Sequence, residues 1–462
     1  MNRTIDMKVI LGVGAIAALF AADVIAASLG PAHLSMAARH ALTVIAATSS
    51  PLGLVLGGIA TFVLAATLVW HRALARAITP RQDAVVSARH YPSVTVIRPV
   101  RGKDVGAEDN FRAALDTGYP GDVETLFVFD DDKDPGLPVA RDVVAAHRAS
   151  GRAGTADVIV AGAPPAGMTG KLNAMVVGQR HAHGELIAFG DSDTRPDRVV
   201  LRGVVDKLLE SPKNGSAFAP VLVHQPPKAA GDVLYAIMQN ALYSPLAAWA
   251  SGEARELPFI MGQLMVFRRS ALSAIGGVES VQGQLVDDMA IGKRVYEHGY
   301  KNVMSRKPLH IATGGMTLKQ FLPVFRRWMS FSRNGLPTSF VWRQWAQGAG
   351  FFAAVATLLT AVVTGHFAAA LVAVAALVAF SGSLFALQRR YGGAAIPLRF
   401  FWTPTAFFLI SPVVLVQNMM KRKVEWRGRE YQLGKSDALV ATPTTATAAR
   451  RPTLQAVPRH AA

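Results

Sequence analysis

Three kinds of hydrophobic pattern divide the chain. Near its start lie two long apolar runs, residues 8–29, broken by Asp23, and residues 51–70, which carry no charge. The first has the length of a membrane span, but its basic start at Arg3 and Lys8 and the small residues near its end also suit a signal peptide. From residue 94 to about residue 315 the apolar runs shorten and alternate with helical periodicity. The stretches 94–98, 124–130, 156–161 and 186–190 predict buried strands, and 107–116, 139–149, 171–183 and 198–210 predict helices. Such alternation implies an α/β domain with a mostly parallel, Rossmann-like sheet covered by helices on both faces. Another buried strand is expected at 258–267, with Gly262 as a point where a ligand comes close to the backbone.

Two later stretches are amphipathic at helical spacing. Val233, Leu234, Ile237, Met238, Ala241 and Leu242 form one stripe, for which core packing and contact with an apolar ligand are equally good readings. Leu318, Phe321, Leu322, Phe325, Trp328 and Met329 form the other, set against Lys319, Arg326, Arg327 and Arg333, the pattern of a helix lying in a membrane interface. After residue 347 long apolar runs return at 348–364, 367–387 and 396–419, the last interrupted by Pro404 and Pro412. From Lys435 the chain is rich in Ala, Thr and Pro, a composition that predicts disorder.

Charge then orients the pattern. His71, Arg72, Arg76 and Arg81 follow the second apolar run, and Arg389 and Arg390 follow 367–387, so what lies beyond each is expected in the cytoplasm. Lys421, Arg422 and Lys423 follow 396–419 as well, which argues against a simple crossing there. The expected organisation is residues 1–84 as amino-terminal membrane segments and linker, 85–345 as a cytoplasmic catalytic domain with interfacial helices, and 346–423 as carboxy-terminal membrane segments. A basic-aromatic element at 424–434 and a disordered tail at 435–462 complete it.

Composition agrees. At 51% hydrophobic and a mean hydropathy of +0.28, the 462 residues are too apolar for an ordinary soluble enzyme, and a multi-pass membrane protein is expected. The net charge of +17 is not arranged as a basic stripe interleaved with aromatics, so a membrane surface, not nucleic acid, is the expected anionic partner. No segment marks an obligate protein partner. The absence of cysteine excludes disulfides and Cys-ligated metal centres.

Carboxylates gather where the predicted strands end. Asp130, Asp131, Asp132 and Asp134 follow the second strand, and Asp191 and Asp193 follow the fourth in the sequence LIAFGDSD. Residues i and i+2 of an extended chain point to one side, so Asp191 and Asp193 can together hold Mg²⁺ or Mn²⁺ against a diphosphate. Ligands of such sheets sit beyond the carboxyl ends of the strands. No GxGxxG follows the first strand, where RPVRG stands instead, which disfavours a dinucleotide. Asp287 and Asp288 open a further helix, and alone would be ordinary acidic residues in a first turn.

Taken in order, the Asp cluster, GMTGKLNAM (167–175), DSD, MGQLMVFRRSALSAIGG (261–277), VDD, FRRW (325–328) and VEWRGREYQL (424–433) resemble the ceramide glucosyltransferases of glycosyltransferase family 21, within the inverting GT-A superfamily. The motifs are also similar to those of hopanoid-associated glycosyltransferases. The resemblance implies a GT-A domain that moves a sugar, glucose from a UDP donor by family habit, onto a membrane lipid hydroxyl. It implies donor contacts from Pro99, from Asp131 or a neighbour in its run, from Lys171 and from Asp191, with Asp191 and Asp193 on the metal. Asp288 becomes the catalytic base, and Arg327, Trp328 and Asp287 line the site. Val324 stands where the family carries Gln or Arg. Ceramide is the leading acceptor and a hopanoid polyol the alternative. A polysaccharide synthase has few spans here for a conduit, and a non-catalytic receptor or scaffold would not need the full set of carboxylates.

Overall fold

A computed structural model of the chain describes residues 50–78, 90–252, 257–420, 423–434, 439 and 453–455. The run at 8–29 and most of the carboxy-terminal tail lie outside the described residues. The described chain forms two compact units, one from the amino-terminal helix and residues 339–387, the other from residues 77–338 and 388–462.

The larger unit is built on an eight-stranded sheet. Its strands are β1 (Val94–Val100), β2 (Val123–Phe129), β3 (Thr155–Val160), β4 (Leu186–Gly190), β6 (Asn214–Phe218), β8 (Leu264–Arg268), β9 (Lys301–Met304) and β13 (Thr453–Gln455). Their order is β13-β3-β2-β1-β4-β8-β6-β9. β1 to β4 run parallel, β8 is antiparallel to both its neighbours, and β6 and β9 are again parallel. This is an α/β arrangement as expected from the sequence, a parallel Rossmann-like half joined to a mixed half. A small second sheet joins β5 (Thr194–Arg195), β10 (Leu309–Ile311) and β7 (Val221–Val223). β11 (Lys423–Trp426) and β12 (Arg429–Gln432) form a separate hairpin.

The four parallel strands were legible as apolar runs because both faces of the sheet are covered. On one face Val94, Val96, Leu186 and Ala188 pack against Val200, Val204 and Leu208 of the helix Val200–Leu209. On the other, Val100, Phe127, Phe129 and Val158 meet Phe111 of Ala107–Leu115 and Leu137 and Val144 of Leu137–Ala149. The strand expected across 258–267 is shorter. Leu257, Phe259, Ile260 and Met261 are buried, but they pack as irregular chain before β8 begins at Leu264. An unbroken apolar run reports burial, and burial alone does not distinguish strand from buried loop.

The first amphipathic stripe is core. Val233, Leu234, Ile237, Met238 and Ala241 are fully buried along Ala230–Ala236 and the π-helical segment Ile237–Tyr243 that continues it. The second stripe lies on Leu318–Gly335, capped by Thr317, whose hydroxyl accepts from Gln320 N while Gln320 bonds back to Thr317 N. Phe321 and Phe325 stack on each other and meet Phe407 of the helix Thr403–Met420 at a tilt, and Arg326 and Asn418 exchange two hydrogen bonds.

Four helices are long and apolar enough to cross a membrane: Pro51–Ala77, Phe340–Val363, Phe367–Tyr391 and Leu398–Met420. In the smaller unit, Leu56 meets Ala361, Ala369 and Ala370, and Val63 meets Ala354 and Ala376. Small residues let helix backbones approach closely, as packing within lipid requires. Phe62, Val363 and Leu371 face outward. Within the tail, the described residues Thr453–Gln455 pair antiparallel with the edge strand β3. The open backbone groups of an edge accept a partner strand whatever its side-chain composition.

Candidate active site

The ends of β1, β2 and β4 open into one cavity of about 380 Å³, and the elements around it each contribute a charged group. Pro99, Lys171, Asp191, Asp193, Asp287, Asp288, Arg327 and Trp328 all line it. Asp131 does not. It is exposed, with its carboxylate accepting from Lys133 N, while the preceding Asp130 turns inward at the end of β2 and is buried. Alternation along a strand sends neighbours to opposite sides, so only one of the pair can face the cavity.

The DSD turn is held from beneath. Arg98 on β1 is fully buried, and its Nη2 donates to the carbonyls of Asp191 (2.5 Å) and Thr194 (2.9 Å) and to Thr194 Oγ1 (3.1 Å). Burial, opposed by nearby Asp191 and Asp193, lowers this guanidinium to about 10, so it remains a cation. Asp191 N bonds to Gln263 O at 3.0 Å, which ties the turn to the chain entering β8. Asp191 and Asp193 are thereby fixed at the cavity wall.

Lys171 begins the helix Gly170–His181, capped by the Thr169 hydroxyl, and its Nζ lies 2.7 Å from Asp191 Oδ1. Burial would lower this ammonium, yet the summed charge of Asp191, Asp287 and Asp288 raises it, so it stays protonated. Asp287 and Asp288 occupy the first turn of Asp287–Glu297. Asp287 Oδ1 accepts from Asp288 N and Asp288 Oδ1 from Met289 N, each at 2.8 Å. Burial and the neighbouring Asp287 push Asp288 up to about 7 against the pull of Lys171. That value suits a group that must both take and release a proton near neutral pH. The space over Gly262, expected to admit a ligand, is filled by the Asp288 side chain.

The hairpin β11–β12 forms the facing wall. Its two turn residues, Arg427 (φ 53°) and Gly428 (φ 72°), are both left-handed, which is the geometry a two-residue hairpin needs. Arg427 is the one non-glycine with positive φ among the described residues, a conformation that costs an L-residue about 1–2 kcal/mol. Its guanidinium pairs with Asp104 and stands 3.9 Å from Asp193 Oδ2, while its carbonyl accepts from Arg101 Nε at 2.7 Å. Arg429 and Arg101 reach Asp130 Oδ2 at 2.7 and 3.2 Å. The Arg327 guanidinium sits 5.9 Å over the Trp426 ring, Trp328 packs on Tyr243, and Phe331 meets Trp426 edge-on. Burial lowers the Arg327 guanidinium from its ordinary value.

The donor set suits a hard divalent cation bound jointly with phosphates. Asp193 Oδ1 is buried without a hydrogen-bond partner, and burial together with Asp191 and Asp104 pushes its carboxyl up to about 6. A positive charge between Asp191 and Asp193 would relieve both conditions. Among the described residues no group of three or more His, Cys, Asp or Glu converges on one point. Two carboxylates, with phosphate and water completing the shell, is the usual Mg²⁺ arrangement.

The profile of Glycosyl transferase family 21 matches residues 53–439, most of the chain. The chain belongs to glycosyl transferase family 21. Two curated relatives from Caenorhabditis elegans are similar to it: ceramide glucosyltransferase 1, 22% identical over 53% of this chain and 51% of that protein, and ceramide glucosyltransferase 3, 24% identical over 53% and 52%. The chain thus spans about half the length of the curated relatives it matches. Among solved structures, a mannosyltransferase from Pyrobaculum calidifontis in complex with GDP-Man and Mn²⁺ aligns with a TM-score of 0.49 at 21% identity, covering 79% of this chain and 99% of that one. Within this family 21 chain, Val324 does not line the cavity, so the departure from Gln or Arg at that position leaves the wall intact. From the sequence, Asp104, Arg427, Arg429, Tyr431 and Tyr235 carried no site role and Asp130 entered only as a neighbour of Asp131, yet all six line the cavity. For the hairpin residues a signal was at hand in the motif WRGREY itself, which packs two arginines and two aromatics into six positions.

Proposed function

We propose that this protein transfers a sugar from a nucleotide donor to a membrane lipid hydroxyl with inversion at the anomeric carbon. The observation that carries the reading is the pairing, across one cavity, of a carboxylate near pKa 7 at Asp288 with the cation-ready pair Asp191 and Asp193 beside Lys171. Asp288 takes the proton of the acceptor hydroxyl, the oxygen attacks the anomeric carbon, and the bond to the diphosphate breaks with its electron pair leaving on phosphate. Lys171 neutralises charge developing there. Asp191 and Asp193 would hold a Mg²⁺ or Mn²⁺, which would supply the rest of that neutralisation. One base with no second carboxylate assigned as nucleophile suits a single displacement.

Pro99 and Asp130 face the nucleotide side of the cavity in this reading, and Trp328, Phe331, Met289 and Ile311 give the other side the apolar character a lipid acceptor needs. The catalytic unit faces the cytoplasm, where nucleotide sugars are made, in keeping with the basic residues that close the apolar segments. The donor is UDP-glucose and the acceptor ceramide, following the family resemblance, with a hopanoid polyol second. The test is a product assay of purified protein in detergent, offering ceramide, diacylglycerol and a hopanoid polyol with several nucleotide sugars. Glucosylceramide is the expected product. Glycosylated hopanoid alone would reject the acceptor, and absence of transfer to any lipid would reject the activity.

A further inference from the structure

The hairpin β11–β12 brings Arg427 into the cavity with one guanidinium nitrogen held and the other open. Arg429 is tied to Asp130 and shares it with Arg101, and Arg327 lies over the Trp426 ring with its Nε buried and without a hydrogen bond. Arg427 differs. Its Nη1 is engaged by Asp104 and by Arg101 O, but its Nη2 has only the loose 3.9 Å approach to Asp193 and makes no hydrogen bond among the described residues. The guanidinium therefore opens toward Asp193, beside the place where two carboxylates and a lysine prepare a phosphate site. It does so from a left-handed backbone position that an Asn or Gly would occupy with less strain. Strain retained at a cavity wall is characteristic of a functional side chain. Arg101 Nε holds the Arg427 carbonyl at 2.7 Å, which locks the turn so that the side chain projects inward.

We propose that Arg427 binds the diphosphate of the nucleotide donor, turning Nη2 from its loose approach to Asp193 onto a phosphate oxygen and so closing the hairpin over the donor. This rests on the reading of the cavity as a nucleotide-sugar site. Arginine presents two parallel N–H donors to a phosphate, and the pair carries most of its strength when the site excludes water. Asp104, itself bonded by Ser192 Oγ at 2.6 Å, serves in this scheme only to hold Arg427 ready.

The test is calorimetry of the full-length protein with UDP and GDP in the presence of Mg²⁺, and with uridine and guanosine as phosphate-free controls. Arg427→Gln is expected to weaken the diphosphate that wild type binds by about ten-fold or more while leaving its nucleoside unchanged. Arg427→Lys, which keeps the charge but loses the fork, falls between the two. Asp104→Asn removes the tether that holds Arg427 ready but leaves the guanidinium itself, so it is expected to weaken the diphosphate less than Arg427→Gln does. Melting temperature without nucleotide checks that each variant is folded. Wild-type diphosphate affinity in Arg427→Gln, or equal losses in Arg427→Gln and Asp104→Asn, would overturn the proposal and leave the donor site standing. If wild type binds neither diphosphate, the donor reading falls and the proposal with it.

Discussion

Asp288 packs its side chain on the bare Cα of Gly262: a Cβ built there would come within 2.7 Å of both Cβ and Cγ of Asp288 and nearer still to its carboxylate. The proposed base is thus positioned by an absence on the neighbouring chain. Gly262→Ala must push Asp288 away from its present place, and a displacement on the order of 1 Å costs about 10²-fold in rate. We expect kcat to fall by that order with donor affinity near wild type, because Asp191, Asp193 and Lys171 are untouched. An unchanged kcat would show that Asp288 need not stand where it does.

Asp288→Asn removes the base itself. General-base assistance is worth about 10²- to 10⁴-fold, so transfer should nearly vanish while calorimetry still detects donor. The pH profile gives a second reading. Asp288 is pushed up to about 7, well above an ordinary carboxyl, and only its ionised form accepts a proton. The wild-type kcat/KM should therefore rise as pH climbs through about 7 and fall away below it. Residual activity of Asp288→Asn should lack that limb, and Asp287→Asn should be the milder change. Turnover of Asp288→Asn within a few-fold of wild type would remove the assignment.

How much of this could be read beforehand depends on whether a feature is local. β1 to β4 were predicted to within two residues because a strand buried on both faces leaves an unbroken apolar run. Asp191 and Asp193, which line the cavity, were singled out because two carboxylates one residue apart announce a shared side. Gly262 was marked as special, but its partner Asp288 lies on a different element, and no pattern in either segment names the other. The hairpin arginines pair with Asp104 and Asp130 across some 300 residues, a relation without periodicity. Asp131 was chosen over Asp130 within a run of three aspartates because their facing depends on where β2 ends.

A metal requirement is the expected consequence of the orphaned Asp193 Oδ1 and the crowding of Asp191, Asp193 and Asp104. A diphosphate approaching those charges is repelled unless a cation intervenes. Nucleotide binding by calorimetry should require Mg²⁺ or Mn²⁺, be lost on chelation, and weaken in Asp191→Ala. Equal affinity with and without chelator would leave DSD as an ordinary turn.

Arg98 predicts a defect of a different kind. It does not itself line the cavity, but it donates the hydrogen bonds that hold the carbonyls of Asp191 and Thr194 at the DSD turn. Arg98→Met keeps bulk and strands those buried acceptors, at a cost of about 1–3 kcal/mol for an unsatisfied buried group. We expect a lower denaturation midpoint and weaker Mn²⁺-dependent nucleotide binding together. A variant with full stability and full binding would show that the turn needs no support from β1.

The last expectation concerns the helix Thr403–Met420, which has the length of a crossing but is tethered at both ends to the sheet-bearing unit. Before it, Gln388 approaches Asn240 at 3.3 Å and Gly392 lies against Leu222. After it, Asn418 exchanges hydrogen bonds with Arg326, and the hairpin that follows delivers Arg429 to Asp130. A segment of 18 residues spans roughly 27 Å as a helix, so a perpendicular crossing would carry its far end away from the unit it rejoins. Its outward face is apolar at Leu409, Val413, Val416 and Met420, while Phe407, Phe408 and Val414 turn inward. That division suits a helix lying along the membrane surface beside Leu318–Gly335, with lipid on one side and protein on the other. Lys423 then remains on the side of Arg389 and Arg390, as the positive-inside rule asks. A fluorescent reporter that folds only in the cytoplasm, fused after Gly434, should therefore be bright. A dark fusion, with a reporter active only on the opposite side giving signal at the same position, would restore a plain transmembrane span and place the hairpin across the membrane from the nucleotide pool.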